Sequence, residues 1–195
     1  MNSALKLILP VLVTCVVAAT GLSLTYTLTA PKIAEQDRLA EERSLKAVLP
    51  EADAFGCIED SSVIEQAQAA ADPVRVVDVF RATADDEPIG WAVKVSSRGY
   101  GGPIILVVGL DTSGSTTGVS ILTMNETPGL GTKVQTEPWF LEQFIGLPGG
   151  YTDADVRALD AISGSTRSSN GIRNGVAAAG RVHAEVLSGM EGGSE

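Results

Sequence analysis

The chain is 195 residues long, 44% hydrophobic and 19% charged, which is enough apolar content for one buried core and argues against disorder. Its formal charge is -10 and its 14 basic residues are scattered, with no stripe that could neutralise phosphates, so a nucleic-acid-binding role is excluded. Two cysteines, Cys15 and Cys57, cannot form a disulfide framework, and Cys15 lies inside an apolar run.

That run opens the chain. "LILPVLVTCVVAATGLSLTYTLTA", Leu7–Ala30, holds 24 residues without a charge, and a bilayer core needs roughly 20 in a helix. The rival is a cleaved signal peptide, with Lys6 as its basic region and "TLTA" as its cleavage site, but such apolar regions are typically about 7–15 residues. A lipid-attachment reading of "LVTC" is weaker, because Thr14 precedes Cys15 where a small residue is usual. An uncleaved anchor is therefore expected over 1–30. Lys6 on one side, against Lys32, Arg38 and Arg43 among acids on the other, says little about orientation. A short N-terminus before a large C-terminal domain fits export of that domain.

Pro31 sits where a helix can start, and "KIAEQDRLAEERSLKAVL" spaces Ile33, Leu39, Leu45 and Val48 helically before Pro50 stops it. This predicts a solvated, lightly packed stalk over 31–50. Beyond it, 51–195 reads as one α+β domain. Residues 51–72 are Ala-rich and ambiguous. Runs rich in β-branched residues at 74–80, 89–96, 104–110 and 118–124, separated by acidic or Gly-rich turns, predict an antiparallel meander. A short helix is expected over 138–145 and a longer one over 170–187.

The tetrapeptide S-G-S-T occurs twice. Ser113–Thr116 lies between two strand runs, where Gly, Ser and Asp favour a hairpin turn. Ser163–Thr166 lies between an apolar run ending at Ile162 and a helix start marked by Ser168, Ser169 and Asn170. A Gly-containing loop feeding a helix N-terminus sets N–H groups and a positive dipole end beside hydroxyls, which suits a phosphate. The same residues also read as an ordinary Ser/Thr cap. No Cys/His metal cluster or catalytic dyad is visible, so no metal and no acid–base catalyst are expected. His183, the lone histidine, reads as a surface or half-buried helix residue.

"DAISGST" (160–166) resembles the D-x-x-[ST]-G-A-[TS] signature at which FMN is joined to threonine by a phosphodiester bond. "GYGGPIILVVGLD" (99–111) and "GVSILTMNETPGLGTK" (118–133) resemble further blocks of the same FMN-binding domain, in the same order. Carriers of this domain include the G subunit of the Rnf-type ion-translocating ferredoxin:NAD⁺ oxidoreductase and the C subunit of the sodium-pumping NADH:quinone reductase. Asp160 stands three residues before Ser163, whereas Asp111 stands only two before Ser113, so the second copy aligns with the signature and the first does not.

The resemblance implies a single transmembrane helix followed by an extracytoplasmic FMN-binding domain, in an electron-transfer subunit of a complex that couples ferredoxin oxidation and NAD⁺ reduction to Na⁺ or H⁺ translocation. Thr166 would carry FMN through its phosphate. Asp160, Ser163, Gly164 and Ser165 would form the attachment loop, and Glu126, Thr127, Leu130, Gly131 and Thr132 would line the ring. Arg167 or Arg173 could screen the phosphodiester, and Trp139 and Phe140 could shield the ring, although an aromatic pair on a short helix is more often core. Ser165 replaces the family's usual Ala. With no activating base beside Thr166, a separate flavin transferase is implied, along with the other complex subunits and the membrane as partners. The rival readings are a protein like the quinone reductase's C subunit, a pilin-like structural protein, whose helix would want an acid earlier than Glu35, and an exported binding module.

Overall fold

The computed structural model describes residues 3–190, with side chains from Ile8 onward, so Lys6 and Leu7 lie outside the described side chains. The chain divides into two units, Met1–Glu41 and Glu42–Glu195.

The apolar run and the stalk form one element, α1 (Ser3–Val48), so Pro31 lies inside a helix and does not start one. Ile8, Leu12, Val17, Leu22 and Leu28 are all exposed. Among the described residues this is the one helix long and apolar enough to cross a membrane, and none of its apolar window is buried within the chain, so it is not a core helix. Its threonines suit that setting. The hydroxyls of Thr14, Thr20 and Thr25 donate to the carbonyls of Pro10, Val16 and Gly21, 2.7–2.9 Å away, so none needs water.

The second unit is built on a five-stranded antiparallel sheet in sequence order: β1 (Ala54–Cys57), β2 (Arg75–Ala84), β3 (Glu87–Arg98), β4 (Pro103–Asp111) and β5 (Thr116–Met124). The four expected strands are present, each somewhat longer than its apolar run. The ambiguous segment 51–72 supplies the edge strand β1 and then α2 (Ser61–Ala71), which Asp60 caps by accepting from the Ser62 N–H at 2.8 Å.

Each face of the sheet is covered differently. On one, the last turn of α1 buries Leu45 and Val48, with Leu49 just beyond it, against Phe80, Ala82, Ala92 and Val107. Thr117 Oγ1 donates to the Val48 carbonyl at 2.6 Å. These residues are core, not a lightly packed stalk, because each large side chain so buried contributes roughly 1.5–3 kcal/mol. On the other face, α2 and α6 (Thr166–Glu185) enclose Trp91, Val93, Val95, Leu106, Val108, Ile172 and Val176.

Short helices α3 (Lys133–Thr136), α4 (Pro138–Glu142) and α5 (Asp153–Ala158) link the sheet to α6. Helix α4 is shorter than the expected 138–145, and α5 has no counterpart among the expected elements. Helix α6 begins at Thr166, four residues before the expected start, and ends at Glu185. The shift has a local cause: Gly164 takes φ +80° just before it, and the Ser169 N–H already bonds the Ser165 carbonyl at 2.9 Å. At Gly171 a Cβ would come within 2.8 Å of the Arg98 carbonyl oxygen, so α6 lies directly against the end of β3. That contact places the start of α6 beside the Gly99–Gly102 loop. His183 is buried at 5% exposure, contrary to the surface or half-buried expectation, because it packs on Gly114 of the β4–β5 hairpin.

Candidate functional site

Three loops meet at one end of the second unit: residues 99–102 after β3, 125–132 after β5, and 163–168 entering α6. Glu126 ties the first two together. It is 8% exposed, and its carboxylate accepts from the Tyr100 N–H at 2.7 Å and the Gly101 N–H at 3.3 Å. Room for it exists because Gly131 has no side chain; a Cβ there would stand 2.5 Å from Glu126 Oε2. The second loop winds on itself, the N–H groups of Leu130 and Gly131 donating to the Thr127 carbonyl at 3.2 and 3.0 Å.

Ser165 ties the second loop to the third. It is 3% exposed and its hydroxyl donates to the Leu130 carbonyl. The Ser165 hydroxyl thus acts as a clasp between loops. Ser169 closes the third loop from behind, its hydroxyl accepting from the Ile162 N–H at 3.2 Å.

Between the loops lies a cleft of about 210 Å³, lined by Tyr100, Glu126, Thr127, Leu130, Gly131, Gly164, Ser165, Arg167 and Ser168. Six of the expected site residues therefore converge: Glu126, Thr127, Leu130, Gly131, Gly164 and Ser165. Thr166 is the first residue of α6, exposed, between two residues that line the cleft. The N–H groups of Thr166, Arg167 and Ser168 precede the first intrahelical bond, and Ser165 makes no side-chain cap bond to them. An exposed hydroxyl at the positive end of a 20-residue helix, with uncapped donors beside it, fits a phosphate joined at Thr166.

Other expected residues sit elsewhere. Thr132 is used inside its own loop, its hydroxyl accepting from the Gly129 N–H at 2.9 Å. Asp160 organises the approach to the loop through its backbone, which exchanges two hydrogen bonds with the Gln143 side chain at 2.9 and 3.0 Å. Ser163 is exposed and outside the cleft lining. Of the two arginines, only Arg167 lines the cleft, its guanidinium 6.0 Å from the Tyr100 ring centre. Arg173 is committed to the Leu159 carbonyl and to Asn170 Oδ1. Phe140 is fully buried core, and Trp139 stacks on it edge-on at 5.9 Å without reaching the cleft. Tyr100 and Ser168 line the cleft without standing out in the sequence as site residues, although Tyr100 lies inside the first of the resembling blocks.

The first S-G-S-T copy is a turn. Asp111 Oδ1 accepts from Ser113 Oγ at 2.6 Å and from the Ser115 N–H at 2.9 Å, and Gly114 takes φ +82°. Ser113→Ala is therefore expected to leave flavin content per folded chain unchanged, measured by absorbance after purification. A large loss with the fold retained would show that this copy contributes to the site. Thr116 is 2% exposed at the start of β5 and is a poorer probe, since changing it perturbs packing.

Residues 99–180 match the FMN-binding domain family, and that span holds all three loops. The G subunit of the Na⁺-translocating ferredoxin:NAD⁺ oxidoreductase complex of Acetobacterium woodii is 31% identical over 88% of this chain and 87% of its own length. The G subunit of the ion-translocating oxidoreductase complex of Methanosarcina acetivorans is 32% identical over 86% of this chain and 87% of its own. Among solved structures, the C subunit of the Na⁺-translocating NADH-quinone reductase of Parabacteroides distasonis shares the fold, with a TM-score of 0.55, 18% identity, and coverage of 80% of this chain and 95% of that one. With the three loops and the cleft inside the matched domain, and the similarity to G subunits running over 86–88% of the chain, the chain belongs to the family of G subunits of ion-translocating oxidoreductase complexes, built on an FMN-binding domain.

Proposed function

We propose that this chain is the flavin-carrying electron-transfer subunit of a membrane complex that passes electrons from reduced ferredoxin to NAD⁺ and couples that transfer to Na⁺ or H⁺ translocation. The observation that carries the reading is the exposed Thr166 hydroxyl at the start of α6, beside a cleft walled by the two other loops. When bound, FMN supplies the redox chemistry. The chain's own residues hold and orient it. Gly164 and the α6 N-terminus receive the phosphate, Arg167 offsets its charge, and Glu126, Thr127, Leu130 and Gly131 wall the ring, with Tyr100 completing that wall.

Attachment is proposed to be a phosphodiester between the Thr166 oxygen and FMN. In its formation a new P–O bond replaces the pyrophosphate bond of FAD, AMP leaves, and the hydroxyl proton is released. An alcohol needs an activating base for this. The chain's one histidine, His183, is buried against Gly114 of the β4–β5 hairpin and does not line the cleft. A separate flavin transferase is therefore proposed to supply the activation. Co-expression with an active transferase is expected to give a chain that fluoresces under ultraviolet light on a denaturing gel, and an inactive transferase to give none. Equal fluorescence with both would overturn the requirement.

The residues from Ile8 to Ala30 include no Asp, Glu, Lys, Arg or His. Intramembrane ionisable groups mark ion paths, so ion conduction is assigned to other subunits and this chain to electron carriage. Its domain is proposed to lie on the extracytoplasmic side, as the resemblance to this family implies. Because the charge-free run is longer than the roughly 7–15 residues of a signal-peptide apolar region, the mature protein is expected to keep its amino-terminal span. Terminal sequencing of protein from native membranes checks this, and a new N-terminus near Ala30 would contradict it.

A further inference from the structure

A second depression lies on the other side of Tyr100. It is a groove of about 450 Å³ lined by Pro73, Arg75, Ser96, Ser97, Arg98 and the Gly99–Pro103 loop. No acidic residue lines it, although the chain carries 24 acids against 14 bases. Arg75 on β2 pairs in register with Ser96 on β3. Arg98 lies two residues further along β3, hence on the same face of the sheet. Diagonal neighbours of this kind stand about 7–8 Å apart, close enough for both guanidiniums to reach one ligand.

Their neighbour along that face shows what a cation here would ordinarily do. Lys94 is held by Asp78 at 3.0 Å. Neither Arg75 nor Arg98 has an ion-pair or hydrogen-bond partner among the described residues, and both are exposed. Exposed guanidiniums in an acidic protein would ordinarily attract a carboxylate; here two are presented together with no carboxylate in the groove lining. We propose that this groove is an oxyanion site for a phosphate group, held in a bidentate fork by Arg75 and Arg98, and separate from the cleft at Thr166. The phosphate comes either from an anionic lipid headgroup or from a free phosphate compound.

Native mass spectrometry of the full-length chain tests this in two arms. In the first, the protein is released from phosphatidylcholine nanodiscs doped with phosphatidylglycerol. In the second, it is released from detergent micelles containing inorganic pyrophosphate. Wild type is expected to retain one phosphatidylglycerol or one pyrophosphate, and the arm that succeeds identifies the source. The double variant Arg75→Ala/Arg98→Ala is expected to bind roughly tenfold more weakly or worse, since hydrogen bonds to charged groups are lost. Arg157→Ala, which removes an exposed arginine elsewhere, is expected to bind as wild type does. Retention in neither arm, or equal retention by wild type and the double variant, would overturn the proposal. The readout does not involve flavin, so failure at Thr166 and failure at this groove are separable.

Discussion

Thr166→Ala is expected to abolish covalent flavin while leaving the domain folded. The side chain is exposed at the first position of α6, one residue after the N-cap Ser165. Losing a hydroxyl there costs at most about 0.5–2 kcal/mol, the range for a residue that does cap a helix. The loop is held by other contacts: Ser165 to the Leu130 carbonyl, Ser169 to the Ile162 N–H, and the Ser165 N–H to the Ile162 carbonyl. The fluorescent band on a denaturing gel should therefore vanish with no comparable change in thermal unfolding. Thr166→Ser keeps the nucleophilic oxygen and should retain part of the flavin. Ser165→Ala should remain flavinylated, because the Ser165 hydroxyl is buried and occupied and cannot serve as the acceptor. A Thr166→Ala chain that still carried covalent flavin would refute the attachment point.

The second large effect is expected at Glu126. Its carboxylate satisfies two backbone N–H groups of the 99–102 loop from a nearly buried position. Hydrogen bonds to charged groups are worth about 1.5–3 kcal/mol each, and unmet donors add a desolvation cost. Glu126→Ala should thus destabilise the domain by about 2–4 kcal/mol, because such losses are not additive. For a domain of this size that is a fall in Tm of roughly 5–15 °C. Flavin content should fall as well, since the Tyr100 wall loses its anchor. Glu126→Gln keeps the shape and one carbonyl acceptor, so its Tm should lie between those of wild type and the alanine variant. Differential scanning calorimetry of the purified full-length chain measures this. An unchanged Tm in Glu126→Ala would mean that the carboxylate does not hold the loop.

Much of the architecture is legible in the sequence because its signals are local. Strands β2 to β5 announce themselves by β-branched runs between turns, and the apolar part of α1 by its missing charges. The elements that are not legible depend on contacts distant in sequence. β1 is four residues of "AFGC" with mostly exposed side chains, and it is a strand because β2 pairs with it. Within α2, Ala67 and Ala71 show no amphipathic contrast, yet both are fully buried in the core shared with α6. The Asp60-Ser61-Ser62 cap is the available signal there. Pro31 reads as a boundary by local rules, but the helix continues through it.

The site divides in the same way. Gly131 and Gly164 are legible as points of close approach or unusual backbone, and both line the cleft. Thr132 looks equivalent to its neighbours in "ETPGLGT", but its hydroxyl turns inward to Gly129, which only the loop geometry reveals. Arg167 and Arg173 are indistinguishable as partners for a phosphate until α6 places one at the cleft and the other on the Leu159 carbonyl. Tyr100 cannot be placed opposite Arg167 without the fold of the 99–102 loop, which Glu126 holds in position.

The central claim is that Thr166 carries FMN, and peptide mass mapping of the wild-type chain co-expressed with its transferase tests it most directly. Trypsin cuts after Arg157 and Arg167, releasing "ALDAISGSTR", which holds Ser163, Ser165 and Thr166 together. The expected result is this peptide heavier by one FMN less one water, with fragment ions placing the added mass on Thr166 and leaving Ser163 and Ser165 unmodified. An unmodified peptide, or an adduct placed on either serine, would contradict the account.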